Sequence, residues 1–362
     1  MLSPPGPSVD AGQQCLRPAV LPSRHGGADV MAGDRQQDNY SHAGTPRRRV
    51  LAAAALTPLL AGAPTPARAL ATGTAEVKSR RLVEPVPTAL SDWEKVAKAL
   101  GRKGDMKRKM MYHTALPRRD LRVRSRRVNV KPALALGSHV SFVRYADKST
   151  MVMGDVVVTE RELQPFTDAL QEHDIAQTAI HKHLLSQTPH IWWVHIHAHG
   201  HHPVAVARGL RAAFDRTGTP PPRPPVQAQR VDLDTAGIDA ALGVKGSTDE
   251  GIYKCVFVRR ETITDGHLVL PPGLGSTSAF NFQPLGGGRA AISGDCAMIA
   301  KEVQDVLVAL RCAGAELVEL HNHGLTDEPR LFFIHFWAVG DAVKLARALR
   351  PAVDATNVVP VG

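Results

Sequence analysis

Residues 180–198 read IHKHLLSQTPHIWWVHIHA, and residues 320–338 read LHNHGLTDEPRLFFIHFWA. Each stretch sets two histidines one residue apart, then a proline, then a third histidine inside an apolar run. Runs rich in β-branched and aromatic residues, split by a turn segment, predict two antiparallel strands. Side chains at i and i+2 of a strand share a face, so His181 and His183 project together. With the turn centred on 186–189, His181 falls opposite His195. The same arithmetic sets His321 opposite His335, with His323 beside them.

Working outward, the similarity extends in both directions. Ala99-Leu100-Gly101 recurs as Ala241-Leu242-Gly243, Tyr112 as Tyr253, and Arg118-Arg119-Asp120 as Arg259-Arg260-Glu261. Gly154-Asp155 recurs as Gly294-Asp295, Glu162 as Glu302, and Ala207-Arg208 as Ala346-Arg347. A nearly constant offset over more than a hundred residues is the mark of an internal duplication. Each copy reads as an opening helix (93–100, 236–242), ended by Gly101 or Gly243, which suit a helix C-terminus. Strands follow, then an apolar run (151–158, 290–298) and an amphipathic helix (160–172, 300–313). Thr159 and Glu162 form a capping box for that helix in the first copy. The histidine hairpin and a final helix (204–214, 342–352) close the unit. The expected fold class is α+β: a duplicated module, each copy a small antiparallel sheet with helices packed on one face.

The organisation follows. Residues 1–71 form an N-terminal extension and export signal, and 72–89 a linker. Repeat 1 spans 90–216, a Pro-rich linker 217–230, repeat 2 231–356, and a tail 357–362. The signal is read from Arg47-Arg48-Arg49, the apolar run 50–56 and 59–63, and small-residue exits at 67–69 and 69–71. An arginine pair directly before the apolar run favours the twin-arginine type. No later stretch is apolar for long enough to suggest a transmembrane helix. The expected location is therefore extracellular or associated with the cell envelope.

The repeated histidines carry the chemistry. Three imidazoles on neighbouring strand positions can converge on one ion, and neutral imidazole suits zinc, copper, nickel and iron. Three protein ligands with a free fourth position is the layout of catalytic zinc. The metal ligands expected are His181, His183 and His195, with His321, His323 and His335. The repeated carboxylates Asp155, Asp295, Glu162 and Glu302 are candidates for a general base or for a group that orients a ligand. Zinc is the first expectation among transition metals. His197 and His199 lie on the His195 face of the first copy alone, and Trp337 replaces His197 in the second, so the two copies are unequal.

Three look-alikes are set aside. His321-Asn322-His323 spells the HNH of nucleases without their layout. The HxH of amidohydrolases belongs to a barrel far larger than this repeat. Gly286-Gly287-Gly288 is a strand-connecting turn rather than a phosphate loop.

The 362-residue chain is 43% hydrophobic and 22% charged, which places it among globular proteins. Its net charge of +10 is concentrated: twelve Lys and Arg residues lie between Arg102 and Lys131. Such a segment could face an anionic envelope polymer or a small anionic ligand. No stacking aromatic set accompanies it, so nucleic acid is not an expected partner. The four cysteines (Cys15, Cys255, Cys296, Cys312) form no CxxC and read as buried, unpaired side chains.

Taken together, IHKHLLSQTPHIWWVHIHA, LHNHGLTDEPRLFFIHFWA, the Gly-Asp strand and the LARALR helix resemble the LppY/LpqO family of secreted bacterial proteins. The resemblance covers about residues 90 to 356 and implies export. It supplies no reaction. Several members of that family are lipoproteins, but Leu60-Ala61-Gly62-Ala63 has alanine where a lipobox cysteine would stand, which favours a freely exported form. The functional expectation is an exported protein that binds a transition metal through repeated HxH…H hairpins, with metal-dependent hydrolysis of envelope material as its extension. Two alternatives stay open: a non-catalytic module for an envelope ligand or polymer, and metal sequestration or delivery.

Overall fold

In the computed structural model the described residues are 81–223 and 230–361. The export signal, the start of the 72–89 linker and the middle of the Pro-rich linker lie outside them. The first copy runs α1 (Glu94–Leu100), β1 (Asp105–Lys107), β2 (Met111–Pro117), β3 (Val123–Ser125), β4 (Val128–Val130), α2 (Pro132–Ala135) and β5 (Gly137–Arg144). It continues with β6 (Thr150–Thr159), α3 (Glu160–Gln171), β7 (Ala176–His181), β8 (Gln187–Thr188), β9 (Ile191–Gly200) and α4 (Pro203–Phe214). The second copy begins with α5 (Thr235–Leu242), β10 (Ser247–Asp249), β11 (Ile252–Arg259), β12 (Thr264–Asp265), β13 (Leu268–Val269), β14 (Thr277–Gly286) and β15 (Arg289–Ile299). It ends with α6 (Val303–Cys312), β16 (Glu316–His321), β17 (Asp327–Glu328), β18 (Leu331–Asp341), α7 (Ala342–Asp354) and β19 (Val358–Pro360).

The fold is α+β and antiparallel throughout its two main sheets. Their strand orders are β1-β2-β5-β6-β9-β7 and β10-β11-β14-β15-β18-β16, the same topology twice. Gly101 and Gly243 end α1 and α5 at φ +74° and +69°, the left-handed region where a Cβ is strained. Glu162 accepts a hydrogen bond from Thr159 N at 2.7 Å, completing the capping box of α3. Gly286, Gly287 and Gly288, all at positive φ, make the turn between β14 and β15.

Alternation along β6 and β15 decides what each face does. Val152, Val156 and Val158 share a cluster with Phe166 and Leu170 of α3 and Leu210 of α4. The intervening Met151 and Met153 pack with Leu270 and Phe333 of the second copy. Val157 and Trp193 meet Ile252, Ala291 and Trp337 of the second copy. In the second copy Ile292, Cys296 and Met298 pack with Val306, Leu310 and Leu349. Burial of each large side chain contributes about 1.5–3 kcal/mol, so each sheet is held on both faces, one of them by the other copy.

Polar ties reinforce the junction. Tyr145 donates to Val269 O at 3.0 Å, Lys131 N to Gln283 Oε1 at 2.8 Å, and Lys182 N to Glu319 Oε2 at 2.9 Å. Arg119 pairs with Glu250 and Arg126 with Glu316, so part of the basic segment is spent between the copies. The segment before α1 joins in as well: Val269 N donates to Val83 O, and Val86 N to Arg144 O. After α7, β19 adds to the outer side of β11.

Two details of the hairpin depart from the expected geometry. His181 pairs with Trp193, and His195 with Ala179, so His181 and His195 are diagonal neighbours on one face rather than opposite each other. His183 lies beyond the end of β7, not within it. The cause is the connection: Gln187–Thr188 leaves the main sheet to pair with β3, which displaces the centre of the turn. Cys255 and Cys296 are buried and free, as expected, whereas Cys312 is disulfide-bonded.

Candidate metal centre

The two sheets meet at their histidines, and they do so crosswise. The His183 ring lies 3.8 Å from that of His335, and the His195 ring 4.0 Å from that of His323. Between them His181 stacks on His321 at 4.0 Å, with an interplanar angle of 17°. Distances of 4.6 Å for His181–His195 and 4.7 Å for His321–His335 complete a pseudo-two-fold cluster. All six expected ligands are therefore in one place, and each HxH pair is closed by the strand histidine of the other copy.

Ligand-bearing nitrogens of His181, His183 and His335, and separately of His181, His195 and His321, lie within 4.8 Å of one another. His181 Nε2 is 2.9 Å from His183 Nε2, and Asp155 Oδ2 is 3.2 Å from the latter. Two ligand atoms bonded at about 2.0–2.1 Å across a tetrahedral angle stand about 3.3 Å apart, so this spacing suits a shared ion. Nδ1 of His195 lies 3.3 Å from Gly154 O, and Nδ1 of His323 lies 3.3 Å from Gly275 O. Where Nδ1–H donates to a carbonyl, Nε2 keeps its lone pair for a ligand. The Nε2 atoms of His195, His321, His323 and His335, the Nδ1 of His181 and the Oδ1 of Asp155 are buried without a hydrogen-bond partner.

A family model described as Domain of Unknown Function (DUF1259) matches residues 94–216 and again 236–355. The chain belongs to the DUF1259 family. No curated protein matches it. Two solved structures share a remote likeness. One is a double ringed trimeric shell protein from the RMM microcompartment (12% identity, 57% of this chain and 81% of that one, TM-score 0.17). The other is a fused permuted hexameric shell protein from the same microcompartment (13% identity, 76% and 95%, TM-score 0.18). Scores this low carry no argument about fold or function.

In this DUF1259 protein a cavity of about 260 Å³ adjoins the cluster. His183, His195, His323 and His335 reach it, together with Asp155 and Asp295. Asp155 pairs across the sheet with His195, and Asp295 with His335, so both carboxylates sit beside strand histidines. Burial lowers the pKa of every histidine with a resolved shift here. His195 is lowered to about 4 and His321 to about 3, with neighbouring imidazoles adding to the effect, while His181, His323 and His335 fall well below the ordinary value. They are neutral near pH 7, the form that binds a metal.

The carboxylates differ between the copies. Burial alone would raise the Asp155 pKa, but His195, His183 and His139 outweigh it and hold the group well below the usual range. Burial pushes Asp295 up to about 7; the Ala279 amide at 2.9 Å opposes the rise and the charge of Asp155 adds to it. Three histidines set the difference: His195 and His183 act most on Asp155 and His139 adds to them, whereas no imidazole lowers Asp295. His139 faces Asp155 across the sheet, and Ala279 occupies the matching place beside Asp295.

Glu162 and Glu302 are engaged elsewhere. Glu162 accepts from Arg118 Nη1 at 2.8 Å and from Gly218 N at 2.7 Å. Glu302 accepts from Arg259 Nη1 at 2.5 Å and Ile299 N at 3.0 Å. Arg118 and Arg259 are themselves buried and paired with Asp120 and Glu261, so neither arginine is open to a ligand. Neither glutamate is among the residues lining the cavity. His139, Ser141, Lys254 and Asn281 do line it, and the repeat comparison did not single them out. Their signal is cross-strand position: His139 faces Asp155, Ser141 faces Met153 and Asn281 faces Ser293, with Lys254 on the next strand opposite Asn281. It is visible only once strand register is known.

Proposed function

We propose that this protein is an exported metal-binding member of its family, allied to the LppY/LpqO proteins, with one histidine centre shared by both copies. In this reading the helices of each copy cover the outer face of its sheet and leave the inner face for the site. The observation that carries the proposal is the cluster of unpartnered, buried imidazole nitrogens contributed by both copies. Each buried polar atom left unsatisfied costs about 1–3 kcal/mol. Three or more converging lone pairs make the cost reasonable only if an ion satisfies them. A set of neutral imidazoles with one carboxylate suits a borderline transition ion, zinc first.

We extend the reading to metal-dependent hydrolysis of envelope material. The cavity beside the histidines would admit a substrate group, and a bound ion there would serve as Lewis acid. Asp155, ionised, would complete the ligand set or accept a proton; Asp295, poised near neutrality, would exchange one with the reacting group. Metal sequestration without turnover needs the same centre. The rival reading, a module for an anionic polymer or small anionic ligand, draws support from Arg122, Arg124, Arg127 and Lys131, exposed on and beside β3 and β4. Loss of ligand binding in Arg124→Ala/Arg127→Ala, with His181→Ala unaffected, would favour it.

The test is metal content of the full chain, purified without a polyhistidine tag or chelator, by plasma mass spectrometry. Near-stoichiometric content of one transition metal is expected. No metal on isolation, and none after reconstitution with zinc, copper or iron, would contradict the proposal.

A further inference from the structure

The first copy carries a line of side chains that the second lacks. His195, His197 and His199 alternate along β9 on one face, about 7 Å apart at successive positions. Their cross-strand partners on β6 are Asp155, Met153 and Met151. Exposure rises along the line: His195 is buried, the His197 side chain is 21% exposed, and His199 is open to solvent. In the second copy the positions matching His197 and His199 are Trp337 and Val339, and those matching Met153 and Met151 are Ser293 and Ala291. Duplication alone therefore did not produce the line.

The second copy instead supplies the other wall. Asp265 of β12 lies 2.7 Å from His197 Nε2, and His267, in the turn after it, sets its ring edge-on to His199 with centroids 6.4 Å apart. Two imidazoles on one ion, with bonds of about 2.0–2.1 Å, have centroids roughly 5 to 6.5 Å apart depending on the angle at the metal. The 6.4 Å between the His199 and His267 centroids falls within that range. Imidazole, carboxylate and thioether are all ligands for soft and borderline transition ions, and Met153, across from His197 and lining the cavity, adds a thioether to the inner part of the line.

We propose that His199 and His267 form a weak, solvent-facing entry site for a transition cation, and that His197 with Asp265 and Met153 passes the ion inward to the shared centre. The inference rests on the metal reading above and adds the route. It makes the two ends of the pseudo-symmetric cluster inequivalent: ions arrive from the first-copy side. The carboxylate Asp265 also favours cation approach, since a fixed charge near a site raises the local concentration of its counter-ion.

The experiment measures loading of the metal-free full chain with cobalt(II) in a stopped-flow spectrometer, and with zinc released from a chromophoric chelator. The variant His199→Ala/His267→Ala changes only exposed or turn residues. It is expected to load at least about tenfold more slowly, the low end of what charge focusing and a docking site contribute to an on-rate, yet to reach the same final occupancy. Met153→Leu, close in volume, tests the inner part and should slow loading without loss of fold. His190→Ala, exposed just before β9 at the end opposite His199, should load at the wild-type rate. An unchanged rate in His199→Ala/His267→Ala, with normal final occupancy, would overturn the route while leaving the shared centre standing. Failure of the wild type to take up either ion would instead remove the metal reading and the route with it.

Discussion

His183 of the first copy and His335 of the second lie with ring centroids 3.8 Å apart, closer than the 4.9 Å between His183 and His181 or the 4.7 Å between His335 and His321 within their own repeats. His195 and His323 repeat the relation at 4.0 Å. The unit of function is thus not one repeat but the junction of two. If His183 and His335 hold the same ion, their losses cannot be independent. A double-mutant cycle with His183→Ala and His335→Ala, read as metal affinity by competition titration, should show the second substitution costing far less than the first.

Asp155 sits 3.2 Å from His183 Nε2 and faces His195 across the sheet. Asp155→Asn keeps its volume and removes its charge. Metal affinity should fall by at least about tenfold, within the range for groups that hold or complete a ligand set. Asp295→Asn, at a carboxyl already raised to about 7, should cost less. Equal losses for the two would count against the asymmetry between the carboxylates.

Arg259 is buried against Glu261 and Glu302 and donates to Ala297 O at 3.0 Å. Removing it leaves a buried carboxylate without its partner, a change that costs about 3–5 kcal/mol. Arg259→Ala should lower the denaturation midpoint accordingly, while the protein that remains folded keeps its metal affinity. Loss of metal binding at full stability would show that the arginine belongs to the site.

Acid should act through the same networks. Burial would raise Glu162, but hydrogen bonds from Arg118, Thr159 N and Gly218 N outweigh it and hold the pKa below the ordinary value. Glu261 is lowered in the same way by Arg259 and Asn357. A depressed carboxyl contributes stability that is complete above its unfolded pKa, about 4.3 for Glu, and is lost as pH falls through the lower folded value. Histidines buried neutral, such as His181, His321 and His335, act earlier. Their contribution is lost as pH falls through the unfolded imidazole value of about 6.5, so the thermal midpoint should decline from there and more steeply below about pH 5. In Glu162→Gln the drop should be shallower; an identical acid limb would show that Glu162 carries no such linkage.

Much of this was legible in the sequence because duplication leaves a constant offset. The repeated histidines, the glycines after α1 and α5, and the Thr159/Glu162 cap all follow from local rules. What repetition cannot do is separate chemistry from scaffolding. Glu162 and Glu302 recur as faithfully as the histidines, and they recur beside two buried arginines that need partners. His139 escaped notice for the opposite reason, since Ala279 breaks the repeat there. The crosswise pairing depends on how two sheets dock, and no spacing within one copy encodes that.

The most direct test of the shared centre counts metal in single-copy variants. His181→Ala alters only the first repeat and His321→Ala only the second. Bound metal per chain would be measured by plasma mass spectrometry for both and for the wild type after identical reconstitution. One shared centre predicts that either substitution removes essentially the same metal that the wild type holds. Retention of half the metal in each variant would mean two separate sites, one per repeat, and would contradict the account.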